Sequence, residues 1–459
     1  MLHILDTERR GNRQLLDSQA ARESNARSYP RRLPLAIARA EGIHVTDMDG
    51  KTYVDCLAGA GTLALGHNHP VVVDAIKAAL DSKLPLHTLD ITTPVKEAFV
   101  DELFASLPPE FASQARVHFC APTGADGVEA AVKLAKIATG RSGILSFHGG
   151  YHGSTHAAMS LSGSLHQKID IPGLMPEVQF LPYPYAYRCP FGAGGARCQQ
   201  LSAHYIRSLL ADPESGVRPP AAMIVEVVQG EGGVVAAPNE WLREIRRITE
   251  EHGILLIVDE VQTGFGRTGK LFAFEHAGIV PDIVVMSKAI GGSLPLSVLL
   301  YRKQFDVWKP GAHIGTFRGN QLAMAAGLAS LKHLRSENLA QHAAQRGAQL
   351  MERLSALHRA FPAIGDVRGR GLMIGVEIVD GHGRSDTLGQ PLADPALASA
   401  IQRACFQRGL ILELGGRHSS VVRFLPPLIV SAAQVDAIAG MFEDAVREVT
   451  ASVRGGVAA

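Results

Sequence analysis

Apolar and polar residues follow different rhythms in three stretches of the chain. From about residue 95 to 335, short apolar runs alternate with segments of helical period. Strands are expected at 117–120, 143–147, 222–228, 254–259, 283–286 and 296–300, with helices such as 127–138 and 240–252 between them. Continuous apolar runs of this length suit strands covered on both faces. Their alternation with helices predicts an α/β domain around a mostly parallel sheet. Ahead of it, 35–40, 42–50 and 52–56 read as a hairpin-like unit with Asp49-Gly50 at a turn, followed by a helix over 71–80. Residues 1–30 are polar and are expected to be irregular. A long polar helix pattern covers 336–361; an apolar stretch at 367–379, more helix and a strand near 420–424 complete the chain. The expected layout is 1–80 as an N-terminal segment and part of a small domain, 81–335 as a large domain, and 336–459 as the remainder of a small α+β domain.

Two of the apolar runs end in chemistry. Pro281-Asp-Ile-Val-Val-Met-Ser-Lys288 ends in an amine, and Ile254-Leu-Leu-Ile-Val-Asp259 ends in a carboxylate. A lone lysine after a strand is ordinarily solvated, and a lone aspartate there commonly forms a turn. Together they sit where α/β sheets bind ligands, beyond the carboxyl ends of the strands. Pyridoxal phosphate needs such a pair, a lysine for its aldehyde and an acid for its ring nitrogen. Val261 is then expected to pack on one ring face, and Gln262 to hydrogen-bond the phenolic oxygen. Upstream, Thr123-Gly124-Ala125-Asp126-Gly127 joins a strand to a helix through small residues, so the backbone N–H groups of Gly124 and Ala125 could face a phosphate. An ordinary turn capped by Asp126 is the plain alternative. In Phe147-His-Gly-Gly-Tyr151-His152-Gly153, the glycines would let an aromatic ring lie flat against a planar ligand. His148, His152 and His156 have helical spacing, but Gly149, Gly150 and Gly153 break the helix that a metal pair would need, so no metal is expected.

Composition narrows the classes. The chain has 459 residues, 46% hydrophobic and 19% charged, enough for a large core. A net charge of +1 gives no electrostatic reason to expect nucleic acid or an anionic membrane as partner. Five cysteines form no CxxC pair; Cys189 and Cys198 flank a glycine-rich loop and could bridge, but reduced thiols are expected. The first residues, Met1-Leu-His-Ile-Leu-Asp-Thr-Glu-Arg-Arg10, lack a signal-peptide core, and no apolar stretch reaches the length of a membrane span. A cytoplasmic location is the expectation. Gly264-Phe-Gly266-Arg-Thr-Gly269-Lys270 imitates nucleotide loops. It follows its strand too late for a dinucleotide turn, and Leu271 stands where a magnesium-binding hydroxyl belongs. A nucleotide-binding protein is the remote alternative.

The chain resembles the class III aminotransferases of pyridoxal-phosphate fold type I along nearly its whole length. The likeness is carried by Thr123-Gly-Ala-Asp-Gly-Val-Glu129, Phe147-His-Gly-Gly-Tyr-His-Gly153, Glu226-Val-Val-Gln-Gly-Glu-Gly-Gly233, Asp259-Glu-Val-Gln-Thr-Gly264, Ser287-Lys288 and Gly315-Thr-Phe-Arg-Gly-Asn320. Within the family, Asp55-Cys-Leu-Ala-Gly-Ala-Gly61, Pro85-Leu-His-Thr-Leu-Asp90 and Tyr183-Pro-Tyr-Ala-Tyr-Arg-Cys-Pro190 are most similar to bacterial enzymes that exchange nitrogen between diaminobutyrate and 2-oxoglutarate. The resemblance implies Lys288 as the residue that bonds the cofactor aldehyde and moves the proton. It places Asp259, Val261 and Gln262 around the ring, Gly124 and Ala125 at the phosphate, and Tyr151 and His152 in the ring-binding segment. Thr316 would reach the phosphate of a neighbouring subunit, which implies a homodimer with shared sites. Glu231 and Arg423 would form a substrate gate. Two departures stand out. The phosphate loop carries Ala125 where the family has a hydroxyl, and Ser154 replaces the arginine that holds the far carboxylate in 4-aminobutyrate enzymes. Arg31 and Arg32 are the N-terminal alternatives for that role. Other ω-amino acid aminotransferases (ornithine or 4-aminobutyrate type), mutases and racemases share the same lysine and acid.

Overall fold

In the computed structural model, which describes residues 11–456 apart from His382, a seven-stranded sheet forms the centre. Its order is Ala115–Phe119, Val298–Arg302, Ile283–Met286, Leu255–Asp259, Ala222–Val225, Ile144–Phe147 and Val178–Leu181. Val298–Arg302 runs antiparallel to both of its neighbours, and the other pairings are parallel. The apolar runs are continuous because successive side chains enter two different cores. Leu256, Val258, Val284 and Met286 join one buried cluster, whereas Leu255, Ile257, Ile283 and Val285 join the other. Helix Asn239–Glu251 covers the first face with Trp241, Leu242, Ile245 and Ile248, and helix Gly124–Thr139 covers the second with Val128, Ala131 and Leu134. Each fully buried aliphatic side chain contributes roughly 1.5–3 kcal/mol, so this double layer holds the edge where the strands end rigidly.

Both chain ends contribute to the smaller sheets. Leu410–Ile411 pairs in parallel with Thr52–Asp55, extending the hairpin Ile37–Glu41, His44–Asp47 and Thr52–Asp55. A second four-stranded sheet, Ile364–Arg370, Met373–Ile378, Val421–Phe424 and Glu413–Gly415, is antiparallel throughout.

Several expectations are corrected. The helix expected over 336–361 is Leu339–Ala360; it starts three residues late because Asn338 takes a left-handed conformation at φ 52° and separates it from a preceding helix, Gln321–Ser336. The apolar stretch 367–379 is a hairpin that turns at Gly371-Leu372. Residues 12–22 form the helix Asn12–Arg22 rather than an irregular segment; it buries no side chain, so no apolar stripe announces it. The expectation for Met1–Arg10 lies outside the described residues. All five cysteines are free and buried, so Cys189 and Cys198 are not bridged. Among the described residues, no helix is long and apolar enough to cross a membrane.

The Gly264–Lys270 loop packs instead of opening a helix. A Cβ on Gly269 would lie 3.0 Å from that of Ala344, and the buried Arg267 donates from Nη1 to the Leu372 carbonyl at 3.1 Å. It is an inter-element bracket, not a phosphate loop.

Candidate active site

The strand ends open onto a cavity of 440 Å³ whose lining includes Gly124, Ala125, Tyr151, His152, Glu231, Asp259, Val261, Gln262 and Lys288. Nine of the residues singled out in the sequence therefore converge. Arg423 stands behind the wall, bonded to Glu231 and Gln262, and Thr316 is not among the lining residues.

Lys288 follows the strand Ile283–Met286 after one residue, Ser287, whose Oγ donates to the Leu296 carbonyl at 2.9 Å. The lysine itself has φ 54°, a left-handed conformation that costs a branched or long side chain on the order of 1–3 kcal/mol. Burial pushes its ammonium pKa down; the Glu231 carboxylate opposes that shift. The neutral amine, the form that attacks an aldehyde or takes a proton, is thereby favoured.

Asp259 ends its own strand 5% exposed. One carboxylate oxygen accepts from the Val261 N–H at 3.0 Å and the other pairs with His152 Nδ1 at 2.8 Å. His152 is itself buried, with its N–H donated to Ser162 Oγ at 3.0 Å. His152 thus orients the acid rather than facing the cavity alone. Glu226 lies alongside, accepting from Tyr151 N–H and Gly230 N–H at 2.9 Å each. It was not singled out from the sequence, although an acid at the end of the apolar run 222–225 was the available signal.

The helix Gly124–Thr139 aims its N-terminus at the cavity. Thr123 is its cap, accepting from the Asp126 N–H, and the Asp126 carboxylate returns the bond to the Thr123 N–H at 2.9 Å. The cap is therefore Thr123, not Asp126 as the plain turn reading had it. A Cβ on Gly124 would meet Val261 Cγ1 at 2.8 Å, so only glycine lets the helix end approach this closely. The free N–H groups and the positive helix end there suit a phosphate.

At the opposite rim, Arg423 is completely buried. Its Nη1 donates to Glu231 Oε1 at 2.7 Å and to Glu413 Oε2 at 3.2 Å, and its Nη2 to Gln262 Oε1 at 3.0 Å. Gln262 also donates to the Ala60 carbonyl at 3.0 Å, so its amide holds the arginine as well as facing the cavity. Glu231 and Arg423, expected from the sequence to pair, are bonded to each other here. Glu413 was missed: it sits directly across the strand pair from Arg423, and its other oxygen accepts from the Tyr29 hydroxyl at 3.0 Å. Burial alone would raise the Glu231 carboxyl, but the guanidinium of Arg423 holds it below its usual range. Burial and the nearby Glu231 push Glu413 up.

Two buried acids beside the site carry a pH signature. Burial pushes Glu226 and Glu260 up to about 7 from 4.5. A raised acid holds its proton in the folded state, so its contribution to stability falls as pH rises from 4.5 through about 7. Glu260→Gln should shift the stability difference between variant and parent in the variant's favour by on the order of 3 kcal/mol across that window. Thermal unfolding at pH 5 and pH 7.5 checks it; an equal gap at both would reject the raised value.

This combination of a doubly covered parallel sheet, a lysine and an acid at its carboxyl edge and a helix end for phosphate defines a transaminase-type site. The family model for class III aminotransferases matches residues 25–446, and the chain belongs to that family. It is 56% identical over 425 residues to a diaminobutyrate–2-oxoglutarate aminotransferase of Rhizobium meliloti, covering 93% of this chain and 90% of that one. A protein of the same description from Haemophilus influenzae is 54% identical, covering 96% and 97%. Among solved structures, an amine transaminase from an uncultivated Pseudomonas species, in its pyridoxal-phosphate-bound form, superposes with a TM-score of 0.83 at 30% identity, covering 94% of this chain and 98% of that one. The ornithine aminotransferase of Toxoplasma gondii gives 0.81 at 27%, covering 96% of each.

Proposed function

We propose that the protein moves the terminal amino group of L-2,4-diaminobutyrate to 2-oxoglutarate, giving aspartate 4-semialdehyde and glutamate, with pyridoxal phosphate as cofactor. The cofactor, when bound, supplies an aldehyde for the amine and a ring that accepts electrons from the substrate carbon. The residues fit it. Lys288 offers a buried amine biased toward neutrality, and Asp259 offers a carboxylate to a ring nitrogen, steadied by His152. The Gly124–Ala125 helix end faces the same cavity, with Val261 and Tyr151 in its walls. The Lys288 amine, once free, would be the base placed to take up and return the substrate's proton, help worth about 10²–10⁴-fold.

The observation that carries the two-substrate reading is the ion pair of Glu231 with Arg423. A terminal amine bears no carboxylate at the reacting carbon, and Glu231 then neutralises the buried arginine. Glutamate does bear one, and it replaces Glu231 on Arg423 in a paired hydrogen bond. Glu231 is the exposed partner, 37% against 0% for Arg423, so it is the side chain free to move.

The same reading includes a homodimer. Ile91, Ile314 and Phe317 are 68%, 69% and 70% exposed. The segments that carry them are tied together by the ring contact of His87 with Phe317 and the Arg318–Asp90 ion pair at 2.6 Å. An apolar surface of this kind marks an interaction site, and Thr316 lies within it, where it would serve a partner's phosphate. A cytoplasmic location goes with this reading.

Incubating the purified protein with pyridoxal phosphate, glutamate and aspartate 4-semialdehyde should release 2-oxoglutarate, read by a coupled dehydrogenase. Failure to do so, with ready turnover of ornithine or 4-aminobutyrate, would replace the substrate assignment.

A further inference from the structure

Beside Glu231 the site opens into a second cavity of 730 Å³, which shares Tyr151 and Glu231 with the first. Its walls are cationic: Arg32, Lys168 and Arg417 line it, and Glu231 is the sole acid among its lining residues. We propose that Arg417 binds the far carboxylate of the substrates, the one remote from the reacting amine, an inference that rests on the diaminobutyrate–2-oxoglutarate reading above.

Charge accounting around Tyr185 leads to Arg417. The Tyr185 ring carries the guanidinium of Arg368 at 4.8 Å and that of Arg417 at 5.2 Å. Arg188 pairs with Glu377, and Arg368 pairs with Glu377 at 2.7 Å and Asp366 at 2.9 Å. Three guanidinium groups therefore share two carboxylates. The Arg417 guanidinium makes no hydrogen bond among the described residues, and it is the member of the trio that lines the cavity. Burial, with Arg188 and Arg368 nearby, holds its pKa below the usual range, so a carboxylate arriving there would relieve an unpaired charge.

The backbone fixes that guanidinium to the gate. Gly416 N–H donates to the Glu231 carbonyl at 2.8 Å, one residue before Arg417. A Cβ on Gly233 would lie 2.9 Å from Gly416 Cα, so the two loops touch backbone to backbone. Two successive left-handed residues, His418 at φ 62° and Ser419 at φ 56°, then turn the chain away. The other candidates are weaker. Ser154 offers a hydroxyl within 3.3 Å of the Tyr151 hydroxyl and no positive charge. Arg31 is bonded to the Asn25 carbonyl at 3.0 Å, and Arg32 is exposed, where solvent screens its charge.

The test uses the holoenzyme and two unreactive acids, glutarate with two carboxylates and butyrate with one, titrated against the absorbance of the bound cofactor. The parent should bind glutarate more tightly than butyrate. Arg417→Gln should weaken glutarate by about 10–100-fold, the range of a lost hydrogen bond between charged groups, and leave butyrate within about twofold. Arg417→Lys, retaining the charge but not the fork, should fall between the two. An unchanged cofactor spectrum certifies that the variants are folded. Glutarate affinity retained in Arg417→Gln, an equal loss of butyrate, or transfer of the whole effect to Arg32→Gln would overturn the assignment. Binding of these acids is read without turnover, so a parent inactive toward diaminobutyrate would overturn the substrate reading, whereas the glutarate titration judges Arg417 on its own.

Discussion

Replacing Lys288 by alanine should remove the cofactor's lysine-linked absorbance band and lower turnover by about 10⁴-fold or more, since both the covalent anchor and the proton carrier are lost. The effect is expected to be the largest in the molecule because nothing nearby can substitute. The other basic side chain at the cavity floor, His152, is committed to Asp259 at 2.8 Å, and the guanidinium of Arg423 cannot give up a proton. Added primary amines should restore a fraction of the rate by supplying a base without the tether. Spectra of the reconstituted variant and single-turnover rates measure this, and retention of repeated turnover would take Lys288 out of its assigned place.

Glu231→Ala should split the two half-reactions. With a terminal amine bound, Arg423 keeps Glu413 as its one carboxylate beside the Gln262 amide, and a buried guanidinium deprived of a charged partner costs about 3–5 kcal/mol when nothing compensates. The presence of Glu413 at 3.2 Å softens that loss, so a fall of about 10²-fold in kcat/KM for diaminobutyrate is expected. With glutamate bound, the substrate carboxylate takes the vacated place and the rate should change less than about threefold. Each half-reaction can be followed separately from the cofactor spectrum in a stopped-flow instrument. Equal losses in both would mean that Glu231 does not act as a gate.

Much of this site is legible in the amino-acid order for a simple reason. In a strand buried on both faces the side chains are mostly apolar, so the first polar residue after the run marks the sheet edge; Asp259 is such a residue, and Lys288 directly follows another, Ser287. Glycine carries similar information: Gly124 and Gly153 stand where a Cβ would strike Val261 or Ala125. Glu413 and Tyr29 are different. Glu413 lies in a short apolar stretch, Leu410 to Leu414, and only the pairing register reveals that it faces Arg423. Arg417 likewise reads as a loop residue until Tyr185, Arg368 and Glu377 are assembled around it. Strand direction is silent too, since an apolar run has the same period whichever way it points, and Val298–Arg302 is antiparallel.

The parallel pairing of Leu410–Ile411 with Thr52–Asp55 has a consequence for synthesis on the ribosome. A strand near the start of the chain must wait for its partner until most of the protein has emerged. The central sheet, with Lys288 and Asp259, can form earlier, while Glu413, Arg417 and Arg423 arrive with the closing segment. A nascent chain halted before residue 410 would carry the amine and the acid but no gate, leaving a cofactor pocket without the means to tell one amino acid from another.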